Sequence, residues 1–189
     1  MNTKNNQRSK KTQEDIWRVF IEMLMKKDIA DMTVSGICAK AKINRSTFYA
    51  HYIDIYDLLE KMEEEMSSQM VNAIVNNTQS ISEGFENLFA YFQRNARFYT
   101  AYFEHANNTN LLKIILPPPY EASRRTLIKE MGYVSEEVYH YHESFFIAGI
   151  TGLIRRWLSR GCQESPKEMC DIIGMQYNQN RQFFEWKEK

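Results

Sequence analysis

Arg45, Ser46, Thr47, Tyr49 and His51 stand within one seven-residue stretch. Each ends in a hydrogen-bonding group. An arginine can bond a guanine edge with two parallel N–H donors, and Ser or Thr can bond a base or a phosphate oxygen. Two apolar neighbours decide which way these groups point. Phe48 and Tyr52 are four residues apart, so on a helix they share one face. If that face turns inward, Arg45, Ser46, Thr47 and Tyr49 populate the outer face and its flanks. Tyr49 is offset from the Phe48/Tyr52 stripe and is expected to be exposed.

The elements that must hold this stretch can be read from caps and periodicity. Thr12 is expected to cap a helix running to about Lys27, with Ile16, Val19, Phe20, Met23 and Leu24 as its buried stripe. Asp28 to Met32 form a break. Thr33 is a good N-cap for a short helix over Val34 to Ala41, with Val34, Ile37, Cys38 and Ala41 on one face. A turn at Lys42-Ile43 follows, and Asn44 is expected to cap a second short helix, Arg45 to Tyr52. Helices this short are marginal alone and persist only by packing on their neighbours. Their outer surface is left for a partner. Two short helices joined by a turn after a longer one are the build of a helix-turn-helix, whose second helix enters the DNA major groove.

The rest of the chain also reads as helix. Asp54 caps a start that has Asp57 in its first turn, where a carboxylate suits the helix dipole, and the helix runs to about Asn76. Further helices are expected over Ser82 to Asn95, Arg97 to His105, Leu111 to Leu116 and Tyr120 to Met131. Ser135 opens a long helix to Arg160 that Gly161 stops. Ser165-Pro166-Lys167-Glu168 opens the last, which runs to about Trp186. Nothing alternates with period two, so the expected fold class is all-α. The expected organisation is a disordered basic arm over 1–11 and a three-helix, helix-turn-helix DNA-binding domain over 12–56. A larger helical dimerisation and effector-binding domain over 57–189 completes it.

Charge supports a polyanion partner at one end. The formal net charge is zero. Residues 1–50 hold ten Lys/Arg and five Asp/Glu, a net +5 that the remaining chain balances with −5. Charge by itself does not separate a binding module from a solvated basic tail. No apolar run approaches the roughly 20 residues that span a membrane, and the N-terminus has no signal-peptide core. A cytoplasmic protein with no membrane partner is expected. Cys38, Cys162 and Cys170 are odd in number and lack CxxC spacing, so reduced thiols are expected.

Residues 33–52, TVSGICAKAKINRSTFYAHY, resemble the DNA-binding signature of the TetR/AcrR family of transcriptional regulators. Thr47 to Tyr52 is the most specific part, and the likeness in this domain covers about residues 12–60. The resemblance implies that Phe48 and Tyr52 are core and that Tyr49 and His51 meet phosphates with Thr47 beside them. It places Arg45 and Ser46 as base readers, and Thr33 and Ser35 where the first short helix meets the DNA backbone. Two positions depart from the family pattern. Lys42 stands where a turn glycine is common, and it adds a candidate phosphate contact. Ile55 stands where a lysine is common, so Lys40, Lys42 or the basic arm would have to compensate. Further along, residues 145–158, ending near Gly161, are similar to the penultimate helix of one TetR-type C-terminal subgroup. That subgroup includes activators of dihydroxyacetone kinase operons, some of which work with a protein co-regulator.

Other constellations are weaker. Phe89, Phe92, Tyr102, Phe103, Tyr141 and Phe145 could line an effector cavity, although an aromatic stripe at helical spacing is more often packing. Ile150, Leu153, Ile154, Trp157, Ile173, Tyr177 and Phe184 could form a homodimer face. Glu136 and His140 are four apart, as metal ligands can be, but a solvated or interface face is the favoured reading. No nucleophile–base set and no phosphate-cradling glycine loop stands out, so no enzyme activity, cofactor or metal is expected. The expected function is a homodimeric regulator of a palindromic operator in double-stranded DNA, a repressor rather than an activator. A small-molecule or protein effector is a possible partner. The alternative is a helical protein–protein interaction module, or a co-regulator-dependent activator with weak DNA binding of its own.

Overall fold

In a computed structural model the residues described are 3–75, 81–106 and 136–183. Among them every regular element is a helix. The first, α1 (Thr3–Leu24), buries Ile16, Val19, Phe20, Met23 and Leu24, as the stripe requires. Its start corrects the expected disordered arm. From Thr3 the basic segment is already helical, and Thr12 is an interior residue whose hydroxyl donates to the Arg8 carbonyl at 3.0 Å. The segment from Thr3 to Thr12 contains neither Gly nor Pro. A helix nucleated on the buried stripe can therefore propagate backwards through good helix formers such as Gln, Arg and Lys.

A 3₁₀ turn at Ile29–Asp31 anchors the break with buried Ile29 and Met32. Thr33 Oγ1 accepts from Gly36 N at 3.1 Å and opens α2 (Val34–Ala41). The turn to α3 (Arg45–Tyr49) passes through Lys42, which has φ 55° and ψ 43°. Asn44 takes the N-cap position of α3 in extended backbone, but its side chain makes no capping bond. Its carbonyl accepts from Thr47 N and Phe48 N. The helix is also shorter than expected. After Tyr49 the chain leaves regular helix, and turn bonds from His51 N and Tyr52 N to Phe48 O complete the corner.

The next helix, α4 (Ile55–Val75), starts directly after Asp54, the expected cap. Asp54 Oδ1 accepts from Asp57 N at 2.8 Å, and Asp57 Oδ2 reaches back to Ile53 N at 2.7 Å. The two carboxylates thus satisfy free N–H groups in both directions. The larger helical part contains α5 (Ile81–Arg94), α6 (Ala96–His105), α7 (Glu136–Ser159) and α8 (Pro166–Phe183). The turn from α7 to α8 follows its local signals. Gly161 has φ 74°, and Cys162 N bonds Trp157 O while Gly161 N bonds Leu158 O. Ser165 Oγ accepts from Glu168 N, and Glu168 Oε2 accepts from Ser165 N at 2.7 Å.

One core runs through both parts. It joins Phe20, Phe48 and Leu58 of the N-terminal half to Phe89, Phe92, Tyr99 and Trp157. Helix α6 packs on α1 and α7, and α5 packs on α4 and α8. His105 on α6 pairs with Asp28, just past α1, at 2.8 Å. Helix α6 is therefore tied to the segment that leads into α2. The helices expected over 111–116 and 120–131 lie outside the described residues.

Candidate nucleic-acid interface

The site is built from the inside outwards. Phe48 has no exposure and Tyr52 is 2% exposed, and their rings lie 5.5 Å apart. Trp17 Nε1 on α1 donates to the Tyr52 hydroxyl at 2.8 Å. Burial, the main cause, raises the Tyr52 hydroxyl pKa above its ordinary value, so this phenol stays neutral and available to accept. These contacts fix the rotation of α3 about its axis. The face opposite is open: Arg45 and Ser46 are exposed and Tyr49 is half exposed. Arg45 Nη2 lies 3.5 Å from the Tyr49 hydroxyl, the outer limit of a hydrogen bond. The guanidinium and the phenol thus project from one patch.

Flanking groups complete the surface. Thr47 and His51 are half buried, and Thr33 and Ser35 are exposed. Thr33 already spends an acceptor lone pair on Gly36 N. Ile43 N bonds Cys38 O at 3.0 Å, so the turn keeps its hydrogen bonds although Lys42 occupies the left-handed region. Lys42, Thr47 and His51 line one wall of an open groove of about 700 Å³. Arg8, Ser9 and Thr12 of α1 line the other.

Ile55 is 7% exposed and belongs to the core. The side chain at this position faces inward here, which accounts for an apolar residue where a phosphate-binding lysine would have been an alternative. A residue that sequence reasoning missed is Lys61. Its Nζ donates to the His51 carbonyl and to Asp57 Oδ2, both at 3.0 Å, and sits 5.5 Å from the Tyr52 ring centroid. It holds the corner after α3 to α4. The His51 carbonyl is ten residues away in sequence, so no local spacing signals that bond.

The other candidate residues are scattered. Phe89, Phe92 and Tyr102 are fully buried in the core and Phe103 packs half-buried against it, whereas Tyr141 and Phe145 are 69% and 77% exposed on α7. The structure does not bring these six to one cavity. Close aromatic packing, such as Phe92 to Tyr99 at 4.4 Å, fills the space among the buried ones. Of the candidate dimer residues, Ile150, Ile154, Trp157 and Ile173 are buried in the chain's own core and Leu153 packs partly against it. Trp157 meets Phe89 edge-on at 5.4 Å. These side chains face inward because α7 packs on α5 and α6, and α8 packs on α5. Nothing is described of the Tyr177 side chain, and Phe184 lies outside the described residues. Among the described residues no group of three or more His, Cys, Asp or Glu could hold a metal ion, and no helix is long and apolar enough to cross a membrane.

Residues 79–179 match the family TetR_C_8, the "Transcriptional regulator C-terminal region". The chain belongs to the TetR family of transcriptional regulators. A 63-residue stretch is 33% identical to the "Uncharacterized HTH-type transcriptional regulator YxbF" of Bacillus subtilis (strain 168). That stretch is 33% of this chain and spans only 17% of that relative's length. Solved structures share the TetR-type fold at low identity. The "Dihydroxyacetone kinase operon activator DhaS" superposes with a TM-score of 0.56 at 21% identity, over 89% of this chain and 95% of that one. A TetR transcriptional regulator from Streptococcus agalactiae 2603V gives 0.59 at 17% identity, over 91% and 96%. The fatty acid degradation regulator FadR from Bacillus halodurans gives 0.58 at 16%, over 86% and 92%.

Proposed function

We propose that this TetR-family regulator binds a two-fold-related operator as a homodimer and reads base edges with Arg45 and Ser46 of α3. The observation that carries this reading is the pairing of a locked inner face, Phe48 and Tyr52, with an open outer face bearing a guanidinium, a hydroxyl and a phenol. Tyr49, His51, Thr47 and Lys42 hold phosphates beside them, and Thr33 and Ser35 set the start of α2 against the backbone. Phosphate contacts position the head and base contacts specify the site.

Dimerisation falls to the outward face of α7 and α8. Tyr141, Phe145, Ile172 and Met175 are exposed there, and they are apolar in the main. A second copy covering them would place two reading heads at a spacing set by the helical repeat. Repression is the direction proposed, since occupancy of an operator overlapping a promoter needs no further partner. DhaS, by contrast, is named an activator.

Selection of bound duplexes from a random pool tests this reading. Two inverted half-sites are expected, with centres one helical turn of about 10 bp, or a multiple of it, apart. Recovery of sequences with no shared half-site would overturn base reading by α3. A promoter reporter carrying the selected site should fall in output when the protein is supplied, and a rise would reverse the assigned direction.

A further inference from the structure

The groove beside the turn between α2 and α3 has a second wall that the helix-turn-helix does not supply. Arg8, Ser9 and Thr12, from the early turns of α1, face Lys42, Thr47 and His51 across it. Among the described residues no carboxylate lines it. Its cationic groups are the Arg8 guanidinium and the Lys42 ammonium, and the His51 imidazole, the Ser9 and Thr47 hydroxyls and the Asn44 amide line it with them. Thr12 commits its hydroxyl proton to the Arg8 carbonyl at 3.0 Å, which leaves Arg8 and Ser9 as the exposed donors of that wall. The helix itself fixes their placement. Arg8 and Thr12 are four residues apart, so they lie on one face about 6 Å apart along the axis. Arg8 therefore adds a cation from α1 to a groove whose other cation, Lys42, comes from the turn between α2 and α3.

We infer that Arg8, with Ser9, is a DNA-backbone contact that makes the start of α1 a working part of the interface. The inference rests on the DNA-binding reading above and adds a phosphate to each half-site, outside the bases that α3 reads. It also supplies a cation where the start of α4 supplies none, because Ile55 is turned into the core. An anionic backbone is the partner that fits, since the two walls present donors and positive charge along a line open to solvent. Arg8 carries the charge and the fork of donors suited to a phosphate.

The test uses the full chain with Arg8→Gln, compared with Lys10→Gln, on a duplex that the wild type binds. Glutamine keeps helix propensity close to that of Arg and Lys, so both variants remove one charge without breaking α1. Lys10 is exposed on the same helix but does not line the groove. For a dimer, Arg8→Gln should flatten the salt dependence of binding by about 2 units in log K against log salt. The wild-type advantage should then narrow about tenfold between about 50 and about 200 mM salt. Base preference should not change, and backbone protection should disappear at the outer edge of each half-site. Lys10→Gln should keep that protection. If Arg8→Gln matches Lys10→Gln in slope and footprint on a duplex the wild type still holds, the Arg8 contact is refuted and the reading by α3 stands. If the wild type holds no duplex with a salt-dependent slope, both fall.

Discussion

Replacing Lys42 separates the fold of the turn from the proposed phosphate contact. Lys42 sits at φ 55° and ψ 43°, in the left-handed region. For a residue with a Cβ this conformation costs roughly 1–2 kcal/mol. Lys42→Gly removes that cost but gives the unfolded chain more freedom, which offsets about 0.5–1 kcal/mol. Both local hydrogen bonds use backbone atoms, Lys42 N and Ile43 N to Cys38 O, so glycine keeps them. The net expectation is stabilisation of about 0.5–1 kcal/mol. With a urea m-value of about 1–3 kcal/mol/M, the midpoint should rise by roughly 0.2–1 M at fixed protein concentration. Lys42→Ala keeps the Cβ and the strain, so its midpoint should stay near wild type. On DNA the two variants should behave alike, because neither has the ammonium: binding weakens evenly across sequences and the salt slope flattens. A destabilised Lys42→Gly, or equal midpoints for the two variants, would refute the strain argument. Wild-type affinity in both would refute the phosphate contact.

Two further outcomes follow from the corner after α3. Ile55→Lys would put an ammonium into a core position and should destabilise by about 2–4 kcal/mol without strengthening DNA binding. Denaturation and duplex titration check this, and a stable, tighter-binding variant would contradict the inward placement of Ile55. The pKa values of Asp57 and Glu168 are both lowered, chiefly by backbone hydrogen bonds from Ile53 and Ser165. A carboxylate held lower in the folded state stabilises fully above the ordinary carboxylate range and loses that contribution as pH falls through its folded value. Stability should therefore fall on acidification below that range, and Asp57→Asn should reduce the fall. An unchanged pH profile in Asp57→Asn would contradict its capping role.

Local chemistry made much of the fold legible. Thr33 and the Ser165/Glu168 pair announce helix starts because their hydrogen bonds close within three residues. Gly161 likewise announces a stop. The exposure of Tyr49 was readable because its angular offset from Phe48 and Tyr52 needs no knowledge of other elements. The start of α1 was not readable, since a polar segment without breakers can be either coil or helix until a packed stripe nucleates it. The destination of a buried stripe was equally hidden. Ile154 and Trp157 form an apolar row whether a second chain or α5 covers it, and only the packing of α7 decides. Lys61 and Arg8 reach the site across elements, and neither leaves a periodic trace. Membership of the TetR family and the all-α class, by contrast, were both recognisable from Thr33 to Tyr52 and the helical remainder.

The most direct test of reading by α3 is the affinity of Arg45→Ala for a selected operator and its single-base variants, at one fixed salt concentration. The substituted side chain is exposed and its hydrogen bond to Tyr49 is long, so the fold should not change. Operator affinity should weaken by about 1–3 kcal/mol for each base edge that the guanidinium no longer reaches, and preference should relax at one position in each half-site. Unchanged affinity and unchanged preference at every position would contradict the assignment of α3 as the base-reading helix.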